Sequence, residues 1–177
     1  MAFLDLWTIV RRDFPDEKIA IFSIYLKFLD IIAAALLKVH GIEALRYDGT
    51  MNAHRRVMSQ TAFHEASPDI PLLITTGAGG VGLNITDASI VIQTEPWWNH
   101  NTERQAYARV FRQGQQKKVK IYRMMASNSS IDIVVLGVQR AKTSINERLM
   151  GPLVRSWDQS AIIPLISNTM GVEVDNQ

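Results

Sequence analysis

The sequence predicts an α/β domain: a mostly parallel sheet with helices on both faces. Three observations carry that expectation. Short β-branched runs alternate along the chain with stretches of helical period. Glycine, proline and capping residues fall between them. The 177 residues are 47% hydrophobic, enough for one good core with short tails. In such a domain the crossovers are right-handed, and ligands sit outside the carboxyl ends of the strands.

The elements follow in order. Residues 1–17 read as an N-terminal extension. Their basic pair, Arg11 and Arg12, comes after the apolar run and no small-residue cleavage site follows, so no secretion signal is expected. The main domain is placed at 18–150. Residues 18–23 form a buried strand, and 26–40 a helix with Leu29, Ile32, Ala33 and Leu36 at core spacing, stopped by Gly41. A second strand spans 43–47 and a second helix 52–65, closed by Ser67-Pro68. Strands are expected at 71–75 and 89–94, then a helix capped by Asn99 that runs to Arg112 and ends at Gly114. Residues 119–125 are a further strand and 130–149 a long helix with Asp132 in its first turn. Residues 151–177 show no clear element and read as a C-terminal tail.

Composition excludes several classes. Net charge is +2, from 19 basic and 17 acidic residues, so a nucleic-acid role needs a local patch. Cysteine is absent, which removes a disulfide scaffold and thiolate metal sites. His40, His54, His64 and His100 lack paired ligand spacing, so no metal is expected. The most apolar window, 19–37, holds Lys27 and Asp30, each costing ~2.5–3.5 kcal/mol at a bilayer centre. No membrane partner is expected.

Two motifs carry chemistry. On one helix, at roughly 100° per residue, Gln105, Arg109 and Arg112 fall within about 60° of one another. Two guanidiniums one turn apart suit a triphosphate, since each fork matches phosphate oxygens in pairs; a solvated basic face is the bland alternative. The run from Gly77 to Gly82 matches a dinucleotide fingerprint after a strand. The next strand begins about seven residues later, too soon for a crossover helix, so that reading is rejected. The same run has phosphate-loop spacing, but Leu83-Asn84 stands where Lys and Ser or Thr are required. No acidic metal box occurs elsewhere in the 177 residues.

Five pieces occur in register: Ile21-Phe-Ser23; Asp48-Gly49 with Arg56 and Phe63; Ala78-Gly-Gly80-x-Gly82-Leu-Asn84; Pro96-x-Trp98-Asn99; and Gln105 to Gln115. Over residues 18–132 their order resembles the C-terminal helicase lobe of the Swi/Snf-like family of DNA-dependent ATPases. That resemblance implies a three-layer RecA-like lobe and the second half of a DNA translocase or chromatin remodeller. It implies arginine fingers at Arg109 and Arg112, and nucleotide contacts at Gln105, Gly80, Gly82 and Asn84. It further implies DNA contacts at Ser23, Thr50, Arg56, Thr75 and Trp98, with the three hydroxyls donating to backbone phosphates. The cofactor implied is ATP with Mg²⁺, held mainly by a first RecA-like lobe. The implied partners are that lobe and double-stranded DNA or a nucleosome, and the implied location is the nucleus.

Lacking the phosphate-loop lysine, the 177 residues are not expected to hydrolyse ATP alone. The sequence also departs from the family. Ala108 and Phe111 stand where Asp and His are common, Gln113 replaces an aliphatic, and Trp97 replaces a polar residue. Of the adjacent Trp97 and Trp98, one is expected to pack and the other to be exposed. Lys117, Lys118 and Lys120 read as a solvated strand entry, and Arg55 as a solvated helix face. The alternative function is a non-catalytic DNA- or partner-binding remnant of such a motor; an RNA helicase lobe fits the Gly-Leu-Asn and Pro-x-Trp-Asn pieces less well.

Overall fold

The computed structural model describes residues 2–79, 83–126, 130–150, 162–167 and 170–176. Its elements are α1 (Ala2–Asp13), β1 (Lys18–Ser23), α2 (Leu26–His40), β2 (Leu45–Tyr47), α3 (Ala53–Glu65), β3 (Leu72–Thr75), a 3-10 turn (Thr76–Gly79), β4 (Ala88–Gln93), α4 (His100–Val110), β5 (Lys120–Ala126), α5 (Ser130–Met150), β6 (Ile162–Ser167) and β7 (Met170–Asn176). The sheet order is β2-β3-β1-β4-β5-β7-β6. The first five strands in that order are all parallel, as expected. Ala20 pairs with Leu72 on one side of β1 and with Val91 on the other.

The period-2 alternation of the strands splits the core into two layers. Ala20 and Phe22 of β1, Leu72 and Ile74 of β3 and Val91 of β4 meet Phe63 of α3 and Tyr107 and Val110 of α4. Ile19, Ile21, Leu73, Ile90 and Ile92 face the other way, against Leu29, Ile32 and Leu36 of α2. The central strands, covered on both faces, read as continuous apolar runs for that reason.

Helix ends follow local chemistry. Asn52 caps α3 by accepting from the Arg55 N–H at 2.8 Å. Gly41 ends α2 in the left-handed region at φ 69°, where its N–H reaches Leu37 O at 3.0 Å and that of Ile42 reaches Leu36 O at 3.3 Å.

The two ends of the chain differ from expectation. Residues 1–17 are not a plain extension: Phe3, Leu6, Trp7 and Val10 of α1 are buried in the same layer as α2. Their i, i+3, i+4, i+7 spacing is that of a core-facing helix. Within 151–177, β7 pairs antiparallel with β5 and β6 with β7, adding two strands where no element was expected. Pro164 fits there because β6 is the edge strand.

Candidate functional site: a cleft at the carboxyl edge of the sheet

β3 and β4 are not neighbours. β1 lies between them, so the link that starts with a 3-10 turn at Thr76–Gly79, beyond the carboxyl end of β3, has to pass β1 to reach Ala88 at the amino end of β4. The glycine run is thus neither a Rossmann crossover nor a hairpin. Beside it, α4 forms the second wall of a cleft of about 260 Å³. Thr75, Thr76 and Gly77 line one side and Thr102, Gln105 and Arg109 the other. A Cβ placed on Gly77 would meet nothing within 4 Å, so its backbone opens onto free space. Bonds to α4 and α3 hold the later part of the link: Ile85 N–H donates to Arg109 O at 3.1 Å, and Gln60 Nε2 donates to Asn84 O at 2.6 Å. Gly80 and Gly82 lie outside the described residues, and Asn84 is exposed just beyond them.

Arg112 requires a correction. Gln105 and Arg109 share a helical face and a cleft, but α4 stops at Val110 and Phe111 leaves helical geometry at φ −87°, ψ 75°. The side chain of Gln115 accounts for the stop. Its Nε2 donates to Thr86 O at 3.0 Å and Ala88 O at 2.8 Å, drawing the chain back under β4, with Gly114 at φ 105°. Arg112 lies instead in a neighbouring hollow of about 550 Å³ with Phe111, Gln113, Gln116 and Lys118.

The turn between β4 and α4 carries the tryptophan pair. Trp97 is 2% exposed and Trp98 54%, so one packs and one faces solvent, as expected. Asn99 caps α4 by accepting from the Asn101 N–H at 3.0 Å. Two carboxyl groups that sequence reasoning missed hold this turn. Glu95 accepts from Ile24 N at 2.6 Å and Trp97 Nε1 at 3.1 Å, and also from the Thr94 hydroxyl. Glu103, fully buried, accepts from Gln93 Nε2 at 2.8 Å and Trp97 N at 2.9 Å. Nothing in the sequence marks it, since an acidic residue in a helix's first turn ordinarily faces water.

The remaining expected contacts separate. Ser23, expected to donate to a DNA phosphate, is fully buried here, and its hydroxyl donates to the Glu95 carboxylate at 3.1 and 3.2 Å. Thr75 is buried and lines the cleft. Thr50 is exposed on the turn after β2, its hydroxyl and N–H both donating to Asp48 Oδ1, at 2.5 and 2.9 Å. Burial pushes the Asp48 carboxyl up, but the Thr50 donors and Arg46 at 3.5 Å outweigh it and hold it below the usual carboxylate value. Arg56 lies over the Tyr47 ring at 5.8 Å and donates to Gly49 O at 3.3 Å. Of the lysines, Lys117 pairs with Glu17 at 2.8 Å and Lys120 sits 3.2 Å above the Phe14 ring, while Lys118 is exposed.

Among the described residues no group of three His, Asp or Glu could hold a metal ion, and no helix is long and apolar enough to cross a membrane. Comparison with known proteins gives concordant matches. The family model described as helicase conserved C-terminal domain covers residues 3–114. DNA repair protein RAD5 of Cryptococcus neoformans is 39% identical over 137 residues, 77% of this chain and 11% of that protein. A putative SWI/SNF-related matrix-associated actin-dependent regulator of chromatin subfamily A member 3-like 1 of Arabidopsis thaliana is 36% identical over 148 residues, 82% of this chain and 17% of that protein. The chain thus spans a small part of the curated relatives it matches. Among solved structures, the C-terminal part of the Fun30 ATPase domain superposes with a TM-score of 0.70 at 31% identity, covering 77% of this chain and 43% of that one. The Sulfolobus solfataricus SWI2/SNF2 ATPase core domain shares the fold at a TM-score of 0.63 and 22% identity, covering 87% of this chain and 30% of that one.

Proposed function

Because the chain belongs to the helicase conserved C-terminal domain family, with Rad5 and Swi2/Snf2-like relatives, we propose that it is the second motor lobe of an ATP-dependent DNA translocase. The observation that carries this reading is the cleft itself. A guanidinium, an amide, three hydroxyls and an unshielded glycine backbone meet in one hollow at the carboxyl edge of a parallel sheet. All are donors or open backbone, the chemistry that polyphosphate oxygens require.

ATP with Mg²⁺ supplies the γ-phosphoryl group and the metal's share of charge neutralisation. The donor set fits its phosphates, whereas the lysine and metal ligands belong to a first RecA-like lobe. On closure Arg109 meets the charge that develops on the transferring phosphoryl group. An arginine supplied across an interface in this way accelerates hydrolysis by ~10³–10⁵, because it binds the transition state better than the ground state. Arg112 is the second finger, brought in from the loop after α4. Gln105 lies beside the nucleotide, and the backbone at Gly80, Gly82 and Asn84 contacts it from the crossing. Trp98, exposed on the turn before α4, contacts the nucleic acid. Thr50 and Arg56 accompany it on the DNA backbone, and Thr75 contributes from the cleft side. The substrate is duplex DNA or a nucleosome and the location the nucleus, in keeping with relatives named for DNA repair and chromatin regulation.

Steady-state kinetics test this. The 177 residues alone should hydrolyse ATP no faster than buffer. Joined to a compatible first lobe, Arg109→Ala and Arg112→Ala should each lower kcat at least ~10³-fold with DNA affinity nearly unchanged. Trp98→Ala should weaken DNA stimulation while basal hydrolysis persists. Normal turnover in both arginine variants would return the α4 face to a solvated surface. Ala108 and Phe111 favour the second reading, a non-catalytic DNA- or partner-binding remnant, which predicts no turnover in the joined protein.

A further inference from the structure

We propose that Glu103 is a positioning residue that couples the cleft helix α4 to the orientation of Trp98; the proposal rests on Trp98 being a nucleic-acid contact. Glu103 follows Thr102 and precedes Gln105 by two residues, both of which line the cleft. Its side chain turns the other way, into the protein, and is fully buried. One oxygen, Oε1, accepts from Gln93 Nε2 at 2.8 Å, Trp97 N at 2.9 Å and Gln139 Nε2 at 3.0 Å. The other lies 3.9 Å from the Arg123 guanidinium.

Gln139 Nε2 also donates to Trp97 O. Both backbone groups of Trp97 are therefore held, one by Glu103 and one by a partner of Glu103. The Trp97 indole N–H is held too, by Glu95 at 3.1 Å. The next residue is Trp98, half exposed. With the Trp97 peptide groups clamped, the plane that leads into Trp98 is fixed, and only the φ of Trp98 and its own side-chain torsions remain to set where its ring points. A shift of the first turn of α4 moves the clamp and carries Trp98 with it. Buried charge pairs seldom add stability over well-packed apolar side chains, whereas they do fix one arrangement among several.

The test uses the full chain labelled with 5-fluorotryptophan and read by ¹⁹F NMR. Its four tryptophans are Trp7, Trp97, Trp98 and Trp157, whose lines are assigned by single Trp→Phe changes. Glu103→Ala should shift or split the Trp98 line while leaving that of Trp7, which lies in the other core layer. Glu103→Gln keeps an acceptor for the three donors and should return the Trp98 line toward wild type. In duplex-DNA titrations Glu103→Ala should weaken binding about 5-fold, and that loss should vanish in a Trp98→Ala background. Should Glu103→Ala lose the native Trp7 line, Gln139→Ala carries the test, since it frees Trp97 O and leaves the carboxyl group in place.

An unmoved Trp98 line in the folded variants overturns the proposal, as does an undiminished loss of affinity in the Trp98→Ala background. If the Trp98 line moves but Trp98→Ala binds DNA as wild type does, the positioning role stands and the DNA reading of Trp98 falls.

Discussion

Trp7→Ala measures whether α1 belongs to the lobe. Trp7 is 1% exposed, with its ring 6.5 Å from that of Phe3 and the Arg11 guanidinium 6.0 Å above it. Truncating a buried Trp costs about 3–5 kcal/mol, from lost transfer energy and the cavity left behind. The lost cation–π contact lies within that range, since an exposed one contributes ~0.5–1 kcal/mol. Against a total stability of roughly 5–15 kcal/mol, a loss of about 4 kcal/mol is a quarter of it or more. At ~2–4 °C per kcal/mol for a chain of this size, Tm should fall by about 8–16 °C. Urea unfolding followed by far-UV circular dichroism should show a lower midpoint with an unchanged slope. Thr8→Ala, on the exposed face of the same helix, should stay within about 0.5 kcal/mol. A Trp7→Ala loss below about 1 kcal/mol, at constant slope, would refute the packing argument and return residues 1–17 to the status of an extension.

Two further outcomes are expected. The folded pKa of Asp48 is lowered, so its stabilisation is fully present above the ordinary carboxylate value and is lost as pH falls through the lowered one. Asp48→Ala should therefore cost about 1–3 kcal/mol at pH 7, and the difference from wild type should shrink below roughly pH 4; a gap that persists at pH 2 would assign the loss to packing instead. Gly41→Ala should destabilise by about 1 kcal/mol in urea melts through φ 69° alone, since a Cβ there meets nothing within 4 Å; a neutral result would mean that the turn relaxes freely.

Much of the fold is legible because the strands are buried on both faces. Residues 18–23 and 88–93 carry runs that only a covered sheet makes reasonable, and Asn52, Asn99 and Gly41 punctuate the helices by chemistry local to each end. The cleft is legible in part: the link after β3 is too short for a crossover helix, and Gln105 and Arg109 share a helical face, but the strand order that places β1 between β3 and β4 is not written in the sequence. Apart from α1, whose core spacing is local, the features that sequence reasoning missed are long-range. β6 and β7 exist through pairing with the edge of β5, which their own sequence does not announce. Ser23 reads as an available hydroxyl until Glu95, 72 residues away, claims it.

The end of α4 shows how such a long-range contact changes the functional argument. Phe111, Arg112 and Gln113 contain no breaker, and local propensity carries a helix on to Gly114. The bonds from Gln115 to Thr86 O and Ala88 O override it, because each satisfies a carbonyl on the far side of the crossing. As a result the two guanidiniums differ in preparation. Arg109 sits on α4 and its carbonyl accepts from the Ile85 N–H, so as the proposed first finger it would need little further ordering to meet a phosphate. Arg112 follows the end of the helix, so as the proposed second finger it would have to be ordered at closure, at a cost in side-chain and backbone freedom. On this account the Arg109 contribution is largely built into the isolated lobe. That of Arg112 depends on the first lobe, so a loosened lobe interface should erode the Arg112→Ala defect before it erodes that of Arg109→Ala. The reverse order in kcat would show that the bend after Val110 does not persist in the closed motor.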